Sequence, residues 1–455
     1  MSTMIGEVAS VAPAVRPPLS LRSNASWTLA GNVVYAACQW GMLVVLAKLG
    51  TEEMVGRFAF GLAVSAPILM FTNLELRSVQ ATDARHEYRF GDYLGLRLVT
   101  TSLALLAVLA VAACQHGAGG ARLVVIVVGV AKCIESVSDG IYGLLQRLER
   151  MHLMAVSMML KGVGSLAAMG LLVHLTHSIT WGAVAMAAVW AGLLLLYDFP
   201  TASRALRPAG PAGGRLWHAA VRPAWRLSVL CRLAWLSLPL GAVVALISLV
   251  QNLPRYFIQH YWGEAALGVF AALAYVMVAG TTVIAALVNS AAPRLAHYHV
   301  TDLAAFRRLL LRLLAIALAL GAGAVLIALG YGQRLLDLLY GPVYAQYWRA
   351  FAWTMAAAGL YYVAAVFRYS VTAARSFRVQ ALISFAAAAV TAVACVWLVP
   401  VHGVLGAAWA LCLASAIQLI GYGTAAACAA ADGGTGMEPG SRRRARARVR
   451  PVPFE

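Results

Sequence analysis

Five polar residues recur through one short stretch of the chain, Lys132-Cys133-Ile134-Glu135-Ser136-Val137-Ser138-Asp139-Gly140-Ile141-Tyr142-Gly143-Leu144-Leu145-Gln146. On a helix turning about 100° per residue, Lys132, Glu135, Asp139, Tyr142 and Gln146 fall within an arc of about 80°. The stretch follows the apolar run Leu123 to Ala131 without a break, so the stripe lies on or beside a segment that reads as membrane-spanning. A charge facing lipid would cost roughly 2.5–3.5 kcal/mol or more, so the stripe is expected to face a bundle interior or a water-filled cavity. There, the Lys132 ammonium would attract a phosphate, or else neutralise Glu135 at i,i+3. Glu135 and Asp139 lie one turn apart and repel each other, which suits ion coupling by a proton or Na⁺; pairing with arginines of an inner vestibule is the alternative.

Other polar residues in or beside apolar runs join this set. Lys161, on the following span, is a second candidate partner for an anionic headgroup, or a lysine that snorkels. Arg255 follows Pro254 near the end of another span, where a proline kink would turn it inward; otherwise it anchors among Tyr256, Tyr261 and Trp262 at the interface. Asn32, Tyr35 and Gln39 share a face at i, i+3 and i+7, placed either to hydrogen-bond sugar hydroxyls or to join helices. Glu75 and Arg77 stand at the inner end of the second span, as a gate or as a surface ion pair.

Enzyme signatures are missing. The chain has no G-x-x-x-x-G-K-[ST] phosphate loop, no D-x-D among its aspartates and no H-E-x-x-H. The seven cysteines are scattered through apolar surroundings without a C-x-x-C pair and read as packing residues. No cofactor and no metal are expected.

The elements that must position these residues are membrane helices. Of 455 residues 62% are hydrophobic and 11% charged, with a mean hydropathy of +0.78; soluble domains carry about 25% charged residues. Runs long enough to cross about 30 Å of hydrocarbon are expected near 27–48, 55–76, 93–114, 122–144, 153–175, 180–199, 234–257, 265–289, 309–330, 347–367, 379–400 and 403–428. The result is an all-α polytopic protein of about twelve spans, its first span serving for insertion in place of a cleaved signal. The net charge of +18 is spread between spans rather than gathered on a nucleic-acid-binding module. With the N-terminus cytoplasmic, 27 of the 35 lysines and arginines fall on inner segments and six on outer ends, so both termini are expected inside. The expected division is a cytoplasmic segment 1–26, a six-helix lobe 27–199, a basic linker 200–233, a second lobe 234–428 and a disordered basic tail 429–455. The longest outer loop is expected at about 331–346.

The halves echo each other. Leu49-Gly50-Thr51-Glu52-Glu53-Met54-Val55-Gly56-Arg57-Phe58-Ala59 aligns with Tyr261-Trp262-Gly263-Glu264-Ala265-Ala266-Leu267-Gly268-Val269-Phe270-Ala271, and Trp181-Gly182-Ala183 with Leu405-Gly406-Ala407. Two related lobes of parallel repeats, rocking about a central site, would give alternating access.

Four stretches carry a family resemblance: Gly31-Asn32-Val33-Val34-Tyr35 through Gln39-Trp40, Leu74-Glu75-Leu76-Arg77 through Ala81-Thr82-Asp83, Glu135-Ser-x-Ser-Asp139 to Tyr142-Gly143-x-x-Gln146, and Tyr340-Gly341-Pro342-x-Tyr344. Through them the chain, over about residues 20 to 430, resembles the O-antigen and polysaccharide flippases (Wzx type) of the superfamily that also holds the multidrug MATE transporters. The resemblance implies a twelve-helix, MATE-like protein of the bacterial inner membrane that moves an undecaprenyl-pyrophosphate-linked glycan from the cytoplasmic to the periplasmic leaflet. Its implied partners are that glycan, membrane lipids, a polysaccharide polymerase and a chain-length regulator. A drug or metabolite antiporter on the same fold is the alternative. A membrane-embedded polymerase or ligase would need a larger outer loop.

Overall fold

The computed structural model describes residues 21–83, 87–115, 119–206, 222–373 and 377–435. Residues 1–20, part of the basic linker (207–221) and the tail beyond 435, expected to be disordered, lie outside the described residues. All regular structure among the described residues is helical: α1 (Leu21–Leu49), α2 (Glu52–Thr72), α3 (Leu76–Ala81), α4 (Phe90–Ala113), α5 (Gly119–Arg147), α6 (Met151–Thr176), α7 (Ile179–Leu193), α8 (Phe199–Ala205), α9 (Leu227–Thr301), α10 (Leu303–Tyr340), α11 (Pro342–Ala345), α12 (Trp348–Ala373) and α13 (Phe377–Thr435).

Nine stretches among the described residues are long and apolar enough to cross a membrane. Two of them, α9 and α13, leave helical geometry at Gly263 and Gly403 and so supply two spans each. The charged α5, at about 1.5 Å per residue, is also longer than the hydrocarbon is thick and adds a twelfth. The protein is an all-α, multi-pass membrane protein.

Two features differ from the sequence expectation. The backbone stays helical through Pro254 and breaks instead at Gly263, whose φ of 79° is open to glycine at no steric cost. The outer loop expected at 331–346 is mostly helix: leucines continue α10 to Tyr340, where the Gly341 N–H caps the carbonyls of Leu336 and Asp337.

The chain forms two compact units, Met1–Ser248 and Leu249–Glu455. The division falls inside α9, beyond the 200–233 linker. The reason lies at the start of α9, which packs with the N-terminal helices: Leu230 and Leu233 join Leu74, Leu76, Tyr93 and Leu96 in one cluster. The segment just before α9 crosses the start of α4 so closely that a Cβ at Gly95 would clash with the Ala224 carbonyl oxygen. There the Ala224 N–H donates to the Gly91 carbonyl (2.8 Å) and Arg226 grips Asp92 with both carboxylate oxygens (2.9 and 3.1 Å).

Within the N-terminal unit, α5 is the central element, in contact with α2, α3, α4, α6 and α7. Small residues allow the close approach that membrane helices need in place of a hydrophobic driving force. A Cβ at Gly31 of α1 would lie 2.8 Å from Ala155 Cα of α6, and one at Gly129 of α5 would lie 2.6 Å from the Val108 side chain of α4. Within the C-terminal unit, α12 packs against α10 and α13, with Gly321 and Gly359 meeting backbone to backbone. Tyrosines tie its helices through main-chain carbonyls: Tyr340 donates to Ala272 (3.1 Å) and Tyr362 to Met277 (2.9 Å).

The sequence echoes coincide with helix starts. Thr51-Glu52 opens α2 as Gly263-Glu264 opens the second part of α9, while Gly182 and Gly406 each lie a turn inside a helix that follows a positive-φ residue, His177 or Gly403. In both cases the glycine lets the new helix lie against the end of the one before it, at Val173 and at Leu398.

Candidate functional site

The stripe on α5 is engaged along its length, in three groups of partners within the N-terminal unit. At its N-terminal part, Lys132 Nζ donates to Glu135 Oε2 at 2.7 Å and sits 5.1 Å from the centroid of the Trp190 ring. The Tyr35 hydroxyl of α1 donates to the other Glu135 oxygen. Lys132 and Glu135 keep 25% and 26% of their side-chain surface exposed, so the pair is only partly covered by the rest of the protein.

One turn along, Asp139 holds two guanidiniums, Arg77 of α3 at 3.1 Å and Arg97 of α4 at 3.2 Å. The two differ in setting. Arg97 is 1% exposed and fixed by Asn73 Oδ1 at 2.5 Å, an oxygen that also accepts from Ser136; Arg77 is 29% exposed. Arg77 also reaches Gln146 Oε1 (3.3 Å) and lies 5.9 Å from the Tyr142 ring centroid, so one arginine spans three members of the stripe. The repulsion expected between Glu135 and Asp139 is therefore offset locally, since each carboxylate has its own cation.

The third group is dry. Lys161 of α6 donates to Asp198 Oδ2 (2.7 Å) and to the Tyr142 hydroxyl (3.0 Å). Tyr142 contacts Ser157 (2.8 Å), which donates to Asp198 Oδ1 (2.5 Å), closing a ring of four residues. Lys161 and Asp198 are 2% and 1% exposed. The sequence offers Lys161 as an anion ligand; here its charge is spent on a buried carboxylate. Asp198 is delivered by a π-helical turn, Leu194–Asp198, that widens the end of α7 just before Pro200, which has no N–H to return to the helix.

The remaining candidates divide. Asn32 donates to the Thr28 carbonyl of its own helix (2.9 Å), and Gln39 is buried with its amide nitrogen unpartnered. Of the face Asn32–Tyr35–Gln39, Tyr35 is the member that bonds to the stripe among the described residues. Glu75, at φ 50°, accepts from Ser78 (2.7 Å) rather than pairing with Arg77. Arg255 belongs to the C-terminal unit, where it donates to Asn252 Oδ1 at 2.8 Å. Sequence reasoning missed Arg97, Asn73 and Asp198. The signal for Asp198 was present as an aspartate closing an apolar span, whereas Arg97 was counted as an ordinary inner-face charge.

Among groups of the described residues, none gathers three or more histidines, cysteines or carboxylates that could hold a metal. What the arrangement offers is seven ionisable side chains, four basic and three acidic, with the partly exposed ones on α3 and α5.

A family model described as "Polysaccharide biosynthesis protein" matches residues 21–299. The capsular polysaccharide biosynthesis protein CapF of Staphylococcus aureus is 25% identical over 325 residues, covering 71% of this chain and 78% of its own. Among solved structures, a MATE transporter of Vibrio cholerae aligns with a TM-score of 0.60 at 13% identity, over 90% of this chain and 96% of its own. A multidrug resistance MATE transporter in an outward-facing conformation aligns with a TM-score of 0.58 at 14% identity (93% and 96% covered), and one in an inward-facing conformation with 0.59 at 11% (94% and 98%). At these identities the structural likeness is one of fold.

Proposed function

The chain belongs to the polysaccharide biosynthesis protein family, and from that premise we propose that it is a flippase for an undecaprenyl-pyrophosphate-linked glycan. The observation that carries the reading is the row of partly exposed charges, Arg77, Lys132, Glu135 and Asp139, on helices of a MATE-like fold. Carrying a pyrophosphate and several sugars past hydrocarbon needs cations that are accessible yet kept in place by counter-ions, while the polyprenyl tail stays in lipid. Arg77 and Lys132 fit that need. Glu135, with a tyrosine on one oxygen and a lysine on the other, is the candidate for coupling to an ion gradient or the membrane potential. The protein would lie in the bacterial inner membrane with both termini cytoplasmic. Its six-helix halves would alternate access, and a polymerase and chain-length regulator would act downstream.

The MATE fold favours one other reading, a drug or metabolite antiporter. Deletion of the gene separates the two: a flippase leaves lipid-linked repeat units accumulated on the cytoplasmic leaflet, whereas loss of an antiporter leaves them unchanged. For the site, Glu135→Gln and Lys132→Ala are each expected to lower polysaccharide export at least about tenfold at unchanged membrane levels, equivalent to about 1.4 kcal/mol on the limiting step. Wild-type export in both variants would remove the stripe from the mechanism.

A further inference from the structure

A second polar recess lies in the N-terminal unit on residues the proposed transport path does not use. A cavity of about 600 Å³ is lined by Glu87, Tyr88, Arg89, Asp92, Arg226, Ser228, Val229 and Arg232, between the start of α4 and the first turns of α9. Of its three arginines, Arg226 is committed to the buried Asp92. Arg89 and Arg232 are exposed and have no ion pair among the described residues, leaving two guanidiniums and the Ser228 hydroxyl against the single carboxylate of Glu87.

The apolar surroundings say what kind of anion fits. Ser228, Arg232 and Trp235 recur at i, i+4 and i+7 on α9, so Trp235 continues the face that carries Arg232. Trp235 is 78% exposed and Leu236 beside it 57%, while Trp225 and Leu227 stand open at the water end. A charged recess continuous with an exposed tryptophan and leucines is built for an amphiphile with an acidic head, since a free anion would gain nothing from the apolar strip. With both termini cytoplasmic, as proposed above, the recess would lie at the cytoplasmic headgroup layer.

We propose that this recess is a binding site for an anionic glycerophospholipid of the surrounding bilayer, its phosphate held by Arg89, Arg232 and Ser228 and its acyl chains laid along Trp235 and Leu236. The site uses none of the stripe residues and stands whether or not the cargo is a polyprenyl-linked glycan.

The test uses the purified full chain in detergent, with phosphatidylglycerol, phosphatidylcholine and inorganic phosphate as separate probes and lipid retention read by native mass spectrometry. Phosphatidylglycerol is expected to bind in a salt-dependent manner and phosphatidylcholine much more weakly. Arg89→Gln and Arg232→Gln should each weaken phosphatidylglycerol about fivefold and the double variant about 25-fold, while the Arg→Lys pair retains most of the binding. Arg334→Gln, on α10, is the control and should change nothing. If the double variant does not purify, Arg232→Gln alone carries the test, because its side chain is exposed and has no ion pair among the described residues. Unchanged phosphatidylglycerol binding in the variants, or equal binding of the two lipids, would overturn the proposal. Displacement of phosphatidylglycerol by millimolar inorganic phosphate would make the recess a phosphate site and overturn the lipid assignment.

Discussion

Asp198→Asn should unfold the N-terminal unit far more readily than any change on the exposed part of the stripe. Lys161 and Asp198 are 2% and 1% exposed, 2.7 Å apart, and closed into a ring by Ser157 and Tyr142. Removing the carboxylate charge strands an ammonium where no water reaches it, and breaking such a pair costs about 3–5 kcal/mol. For a unit of this size each kcal/mol moves the midpoint by roughly 2–4 °C, so thermal unfolding in detergent should fall by about 6–20 °C. Replacing both partners with apolar residues, Lys161→Met with Asp198→Leu, removes the uncompensated charge and should recover most of that loss, because a buried pair is often no more stabilising than well-packed hydrophobes. Export by the double variant separates two roles for Lys161. A brace predicts recovery of export along with the melting temperature. Recovered melting without export would return Lys161 to the cargo path, and an Asp198→Asn variant that melts within about a degree of wild type would show that the ring is not dry.

Arg77→Ala and Arg97→Ala remove the two cations of the same carboxylate and should differ in kind. Arg97→Ala empties a buried site and removes the bonds to Asn73 and Asp139, and should cost about 2–5 kcal/mol in thermal unfolding. Arg77→Ala, at 29% exposure, should cost about 1 kcal/mol or less yet lower export; equal melting shifts would contradict the distinction. Gly95→Ala places a Cβ against the Ala224 carbonyl and should destabilise by about 1–3 kcal/mol, visible as a lower melting temperature and a lower membrane level. Asp83, in the turn before α4, is pushed up by burial but brought below the ordinary carboxylate value by the N–H groups of Glu87 and Tyr88, the Tyr93 hydroxyl and Arg147. Its contribution to folding is complete above the unfolded value of 3.8 and is lost as pH falls through the lower folded value. Asp83→Asn should therefore lower stability at neutral pH and flatten its decline in acid, measured by melting temperature against pH.

The stripe was legible because lipid makes charge expensive, so a helical period of polar residues inside an apolar run has few physical readings. The partners were not legible. For Asp139 the sequence leaves repulsion by Glu135 and pairing with inner arginines both open, and does not say which arginines, because Arg77 and Arg97 lie 62 and 42 positions away. Lys161 looked available for the same reason, its carboxylate being 37 residues further on at the end of a π turn that no hydropathy window detects. Helix count and the repeated helix starts followed from length and from glycines at junctions. The end of α10 did not, since its leucines read equally as interfacial loop and as helix until Gly341 stops it. The linker is legible as a basic stretch between apolar runs, whereas the compact units are set by Leu230, Leu233 and Gly241, whose partners at Leu74 and Phe71 only folding brings near.

The charges on α5 form a graded series, and the gradient decides which cation a substrate could borrow. The Lys161–Asp198 pair cannot open cheaply, because both ions are buried and each is the other's only opposite charge in the ring. Lys132 is accessible, but drawing it away removes the cation bonded to Glu135 and leaves the Tyr35 hydroxyl on its other oxygen, so its release favours any event that neutralises that carboxylate. Arg77 is accessible and can leave at lower cost, because Asp139 keeps Arg97 when Arg77 departs. Arg77 is thus the cation most readily exchanged from carboxylate to phosphate, and Lys132 the one whose movement is tied to the charge state of Glu135. The two roles separate by measurement: substitution of Arg77 should weaken cargo affinity without altering the ion dependence of export, and substitution of Lys132 should alter that dependence. Identical phenotypes would mean that the stripe acts as one unit.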